Sequence, residues 1–189
     1  MTDRETLDLY EATGALLHGH FRLTSGLHSD VYLQSALVLQ HPVHAAALGK
    51  ALAAPFRGDR VGTVLAPAIG GIVVSHEVAR ALEARALFTE REDGVMRLRR
   101  GFSLPAGERC LVVEDVMTTG GSIREVIACT EALGGAVLGV GALIDRSGGA
   151  THFPVKRAAL ATVKAMTWKP EECPLCRAGS TAIKPGSRV

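Results

Sequence analysis

The chain has 189 residues, about the size of one domain with a single sizeable core, and 47% hydrophobic against 21% charged content is globular rather than disordered. A formal net charge of +2 is too small to mark a nucleic-acid or membrane binder. With aromatics at 4%, the core must come from Val, Leu, Ile and Ala, as in helices packed on a largely parallel sheet. The uncharged run 61–76 is broken by Pro67, Gly70 and Gly71 and falls short of the ~20 apolar residues of a bilayer span. The opening MTDRETLDLY lacks a signal-peptide core, so the expectation is a cytoplasmic protein with no membrane partner.

Leu7, Tyr10, Leu16 and Leu17 recur near helical spacing after a Thr2 or Asp3 cap, predicting an amphipathic helix over 3–18. A short strand at 21–23, a polar turn SGLHSD and a strand at 31–39 follow, and Pro42 opens a helix to about Phe56. The unit that builds parallel sheets then repeats. Strand VGTVLAP, a glycine loop, a helix at 72–83 and strand ALFTE come first; strand ERCLVVED, loop VMTTGG, a helix from Ser122 to about Leu133 and strand AVLGVGALID come second. This pattern predicts a single α/β domain, doubly wound, with its chemistry at the C-terminal ends of the strands.

Between the two units, FTERE, Asp93-Gly94 and VMRLRR read as a β-hairpin insertion over about 88–100 with a type I′ turn. That register opposes Glu92 to Val95, Arg91 to Met96 and Glu90 to Arg97, predicting a Glu90–Arg97 ion pair and no cross-strand partner for Arg91 or Arg100. Beyond residue 150 the pattern weakens to one strand-like segment, AALATVKAM, and an irregular tail over about 167–189.

The segment LVVEDVMTTGGS, residues 111–122, carries the chemistry. A buried strand ends in Glu114 and Asp115; Val116, Met117, Thr118, Thr119, Gly120 and Gly121 follow, and Ser122 opens a helix. Glycines allow close backbone approach, and the free N–H groups of a helix start attract an anion, so the loop suits a phosphate. Two acids beside a phosphate repel it unless they face a polyol or a bridging metal, and a sugar phosphate meets that condition. Neither a Walker lysine nor G-x-G-x-x-G is present, which disfavours generic nucleotide folds.

The segment resembles the phosphoribosyl pyrophosphate (PRPP) signature of the type I phosphoribosyltransferases. GHFRLTSGLHSDVYLQ, LAPAIGGIVVSHEVA and IDRSGG are similar to motifs of the orotate-specific branch, in the same order over residues 14–150, and the tail CPLCRAGSTAIKPGSR is similar to a subset of it. The resemblance implies a mostly parallel sheet flanked by helices, a small N-terminal hood over about 1–40, and transfer of phosphoribose from PRPP to orotate in pyrimidine synthesis. It further implies Mg²⁺ carried by PRPP rather than by protein side chains, and a homodimer. By motif, Glu114 and Asp115 would hold the ribose hydroxyls, residues 117–122 the 5′-phosphate, and Arg146 with Thr118 the base; Asp115 and Arg91 would be catalytic.

The chain departs from the better known members at Thr24 and Gly70, where they carry phosphate-binding lysines, and it has the hairpin where they have a basic loop with a histidine that covers the neighbouring subunit's site. Arg91 first, then Arg97, Arg99 and Arg100, would replace the lost cations at the pyrophosphate. The seven histidines show no metal-ligand spacing and read as surface or core polar groups. Cys173 and Cys176 have the spacing of half a zinc site with no second pair in the sequence nearby, so a reduced or incidentally oxidised pair is the favoured reading over zinc. Two rivals stand beside the orotate reading: a purine-base phosphoribosyltransferase, and a non-catalytic regulator that senses PRPP and binds nucleic acid.

Overall fold

A computed structural model describes residues 1–23 and 25–185; Thr24, one of the two missing-lysine positions, and residues 186–189 of the tail lie outside the described residues. Helix α1 (Asp3–Ala12) opens with a capping box in which the Thr2 hydroxyl accepts from the Glu5 amide and the Glu5 carboxylate accepts from the Thr2 amide. It ends earlier than the expected 3–18, and Leu16 and Leu17 open strand β1 (Leu16–Arg22) instead. β1 pairs antiparallel with β2 (His28–Leu33), which takes in His28, Ser29 and Asp30 from the expected turn. β2 stops at Leu33 because Leu33 faces Leu16, the first residue of β1, so no partner strand remains; Val38 and Leu39 reach the core from a helical turn, α2 (Ala36–Leu39), where strand was expected.

Helix α3 (Pro42–Ala53) and a 3₁₀ segment over Ala54–Asp59 lead into the main sheet. Its elements are β3 (Thr63–Pro67), α4 (Gly71–Leu82), β4 (Arg85–Glu92), β5 (Val95–Leu98), β6 (Arg109–Met117), α5 (Gly121–Ala132), β7 (Ala136–Asp145) and β8 (Lys156–Thr162). The strand order is β5-β4-β3-β6-β7-β8, parallel throughout except for the hairpin strand β5. β6 runs two residues beyond its expected end because Val116 and Met117 pair with Ile144 and Asp145 of β7. Successive residues of β6 face opposite sides of the sheet. Leu111 and Val113 join Tyr10, Leu48, Leu52 and Phe56 on one face, while Cys110 and Val112 join Met117, Ile123 and Val126 on the other.

The chain crosses from one side of β3 to the other on reaching β6, so the C-terminal ends of β3 and β6 flank the topological switch point. Up to residue 185 the tail, expected to be irregular, carries short regular elements. Strand β9 (Thr167–Trp168) adds to β2 in the hood sheet, and α6 (Pro174–Arg177) and a bridge from Phe21 to Ile183 complete the seam. That seam brings His20 and His28, expected as surface or core polar groups with no metal-ligand spacing, beside Cys173 and Cys176: the fold joins groups 148 to 156 positions apart, a neighbourhood that linear spacing does not encode. Among the described residues no helix is long and apolar enough to cross a membrane.

The hairpin has the expected register, and Asp93 and Gly94 have φ of 51° and 80°, the left-handed pair of a type I′ turn. Its charges pair otherwise than expected. Glu90 binds Arg100 through two hydrogen bonds of 2.7 Å, Arg97 and Arg99 both approach Glu92, and Arg91 Nη1 lies 2.7 Å from Glu125 on α5. A bidentate guanidinium–carboxylate contact outcompetes a single exposed cross-strand pair, and Arg100, at φ 60°, returns the chain over Glu90.

Asp145, fully buried at the end of β7, is held by Arg157 and by the amides of Ser147 and Gly149. Arg157→Ala leaves that charge with amide partners alone and lowers stability by about 3 kcal/mol in urea unfolding. Arg4→Ala, which breaks the exposed Arg4–Asp8 pair, changes it by less than about 0.5 kcal/mol.

Candidate active site

β6 delivers Glu114 and Asp115 to the switch point as partly covered carboxylates. Burial, reinforced by the adjacent Asp115 charge, pushes the Glu114 carboxyl up to about 8, against a hydrogen bond from the Ser122 hydroxyl that favours the ionised form. Burial also raises Asp115, opposed by the Val116 amide and the Ser35 hydroxyl. Ser35 in turn accepts a 3.2 Å hydrogen bond from the buried Tyr10 hydroxyl of α1. Tyr10 and Ser35 of the hood thus stand behind Asp115, a pairing that sequence reasoning missed because no local motif announces a contact between residues 25 positions apart.

Gly70 closes over Asp115. A Cβ placed there would lie 2.7 Å from Asp115 Oδ1, so any side chain at 70, including the lysine of the better known members, displaces this carboxylate. Asp115 and Gly70 line a hollow of about 230 Å³ with Gln34, Gln40 and Ile69.

The loop after β6 passes Thr118 and Thr119 to Gly120, whose φ of 75° starts α5 with no side-chain cap. The first amides of α5 therefore point outward with the positive end of the helix dipole, an arrangement suited to phosphate. Arg124, one turn in, donates to the Thr119 carbonyl at 2.8 Å and to the His152 carbonyl at 3.0 Å, and stacks on Phe153. It braces the loop and adds a cation that the motif reading overlooked; its place one turn past the glycines was the available signal.

Thr118, Thr119, Arg124, Arg146 and Ser147 line one cavity of about 640 Å³ with Ser25 and Leu27 of the hood. Arg146 is half-buried, and burial lowers its pKa from the ordinary value while the field of Asp30 opposes that shift. Its hydrogen-bond partner is Ser29 Oγ, at 3.5 Å, and among the described residues it forms no ion pair. A partly desolvated guanidinium without a carboxylate seeks an anionic or carbonyl-rich ligand. Asp145 fixes the turn that aims it.

Of the sequence-derived site residues, the structure thus gathers Thr118, Thr119 and Arg146 around one cavity, with Gly120, Gly121 and Ser122 at the adjoining helix start. Asp115 faces the smaller hollow, Val116 is partly covered, and Met117 is wholly buried, leaving it to shape the strand end. Arg91 lies apart from both cavities, beside Glu125 on the hairpin side of α5, and the Glu125 oxygen it faces has no hydrogen-bond partner.

Comparison with known proteins places the chain in a family. The model of the phosphoribosyl transferase domain matches residues 38–152. An orotate phosphoribosyltransferase of Pelotomaculum thermopropionicum is 56% identical over 188 residues, covering 100% of this chain and 99% of the relative. One from Desulforamulus reducens is also 56% identical, covering 100% and 98%. The crystal structure of orotate phosphoribosyltransferase from Aeropyrum pernix superposes with a TM-score of 0.66 at 27% identity, over 83% of this chain and 93% of that one. The chain belongs to the phosphoribosyltransferase family, in its orotate phosphoribosyltransferase branch.

Proposed function

We propose that this site joins orotate to C1 of PRPP, releasing pyrophosphate and forming orotidine 5′-monophosphate in pyrimidine nucleotide synthesis, a cytoplasmic process. The observation that carries the choice of base is Arg146: a half-buried guanidinium, without an ion-pair partner among the described residues, beside the phosphate loop. Its planar fork matches the carboxylate or carbonyl edge of orotate, and a purine offers no carboxylate there. Thr118 shares the base contact. The amides and hydroxyls of residues 117–122 bind the 5′-phosphate, and Glu114 and Asp115 accept from the ribose hydroxyls.

An oxocarbenium-like transition state needs charge stabilisation and exclusion of water rather than a nucleophile. Asp115, held by Ser35 and covered by Gly70, sits where its negative charge steadies the electron-poor ribose. Among the described residues the cavity shows no set of three carboxylate or histidine ligands, so the chain fits a cation that arrives on its substrate with most of its oxygen ligands. Mg²⁺ brought in on PRPP would supply positive charge to the pyrophosphate leaving group. The hairpin arginines, Arg91 first, serve the same end across a homodimer, reaching the neighbouring subunit's site as the covering loop does in the better known members.

The deciding assay measures pyrophosphate release from PRPP and Mg²⁺ with orotate, uracil, adenine or hypoxanthine. Release with orotate alone supports the reading; release with a purine alone overturns it for the purine enzyme, and no release with any base, together with steeply salt-dependent DNA binding, overturns it for the regulator. Arg146→Ala removes a charge-assisted contact of about 1.5–3 kcal/mol and raises the KM for orotate about 10- to 100-fold with little change for PRPP. Equal losses for both substrates would remove the base contact from the account.

Glu114 holds a proton near neutrality in the free protein, whereas an unfolded glutamate has lost it. The folded state therefore binds more protons above about pH 4.5, and this contribution to stability declines as pH rises from there through about 8. Ribose hydroxyls favour the ionised carboxylate, so PRPP binding releases a proton at pH 7, visible as a heat that varies with the buffer's ionisation enthalpy; Glu114→Gln abolishes that buffer dependence.

A further inference from the structure

His20, His28, Cys173 and Cys176 lie at the seam between the hood sheet and the tail, away from the proposed transfer chemistry. One ligand atom from each falls within 4.8 Å of the others. His20 Nε2 is 2.9 Å from His28 Nδ1, 3.4 Å from Cys173 Sγ and 3.7 Å from Cys176 Sγ, and Cys176 Sγ is 3.3 Å from His28 Nδ1. Zinc bonds of about 2.0–2.1 Å to nitrogen and 2.3 Å to sulfur require tetrahedral edges of about 3.3–3.8 Å. The observed separations bracket those edges around a single centre. Cys173 is wholly buried, His20 and His28 are nearly so, and all four cysteines of the chain are free thiols.

The surrounding hydrogen bonds orient His20 for this role. Its Nδ1 lies 3.1 Å from the Ser180 carbonyl and 3.2 Å from the Ser180 hydroxyl. A carbonyl can only accept, so Nδ1 carries the proton and the lone pair on Nε2 points into the cluster, the arrangement by which ligating histidines are aimed from behind. Thiolate and imidazole in a tetrahedral two-plus-two set select zinc over the hard cations. The seam also has a physical need for a cross-link. β9 has two residues and α6 four, too little apolar surface to hold the tail against the hood unaided.

The structure assigns a structural Zn²⁺ site to His20, His28, Cys173 and Cys176, one ion per chain, clamping the tail onto β1 and β2. This site goes beyond the proposed transfer function and does not depend on it. His28 is followed by Ser29, the hydrogen-bond partner of Arg146, so the clamp also steadies that wall of the cavity.

The test is metal analysis of the untagged full chain, expressed in zinc-replete medium and passed over a weak chelator, by inductively coupled plasma mass spectrometry. About one zinc per chain is expected, lost in Cys173→Ser and in His28→Ala and kept in Cys129→Ser. Removing zinc lowers the unfolding temperature, and adding Zn²⁺ restores it. Should the variants fail to fold, wild-type protein reconstituted with Co²⁺ supplies the second readout: intense visible d–d bands with a thiolate charge-transfer band identify the tetrahedral site. A metal-free protein, iron in place of zinc, a Cys173–Cys176 disulfide in the freshly purified chain, full zinc retention by both variants, or an octahedral cobalt spectrum overturns the assignment.

Discussion

Two partly covered carboxylates, whose burial disfavours their ionised forms, sit side by side at the end of β6, and the groups around them answer that constraint. Glu114 and Asp115 are desolvated by the strands on either side and repel each other, so the free protein keeps a proton there near neutrality. The chain supplies hydroxyl and amide donors, from Ser122, Ser35 and Val116, but no cation among the groups that shift these acids. Such a pair is stabilised by a ligand rich in hydroxyl donors, and the loop that follows presents an anion site within a few residues. A phosphorylated pentose joins both properties in one molecule, and this pairing singles the site out among the many strand–loop–helix links that bind phosphate alone.

The supports for the pair come from distant parts of the chain. Ser35, backed by Tyr10, stands beside Asp115 from the hood, Gly70 lets the backbone close over that carboxylate, and pairing of β6 with β7 through Met117 and Asp145 sets the loop after β6 beside the turn that carries Arg146. Asp145 is buried on an ion pair and two amides, a rigid foundation for the arginine that follows it. Precision in such a site comes from strands and buried contacts, with loops contributing only the atoms that meet the ligand. The hood belongs to this scaffold as well as to the cavity wall, because the strand carrying Ser29 is pinned at its start by His28 and by β9.

The motif LVVEDVMTTGGS was legible because its chemistry is contiguous: acids, hydroxyls and glycines fall within one strand end and one helix start. The hairpin was legible in register, since Asp93-Gly94 admits few turns, but its ion pairs were not, because arginine side chains reach past the residue opposite to better partners such as Glu125 and Glu90. Leu16 and Leu17 continued a helical spacing yet became strand, and Val38 and Leu39 a strand pattern that became a helical turn; in both places pairing with β2, or its exhaustion at Leu33, overrode local preference. Arg124 and the Tyr10–Ser35 pairing escaped notice because neither has a local signature.

The amino-acid sequence alone determined the α/β class and the hairpin turn, and it marked out the glycine loop and the arginine of IDRSGG on which the proposed function rests, since each is written in residues within a dozen positions of one another. Only the tertiary structure decided which cations pair with which acids, that Arg91 stands beside α5, that the tail is a third strand of the hood, and that two histidines meet two cysteines. The physical reason is range: dihedral preference and hydrophobic period act over a few residues, whereas strand pairing and burial bring together groups about 150 positions apart.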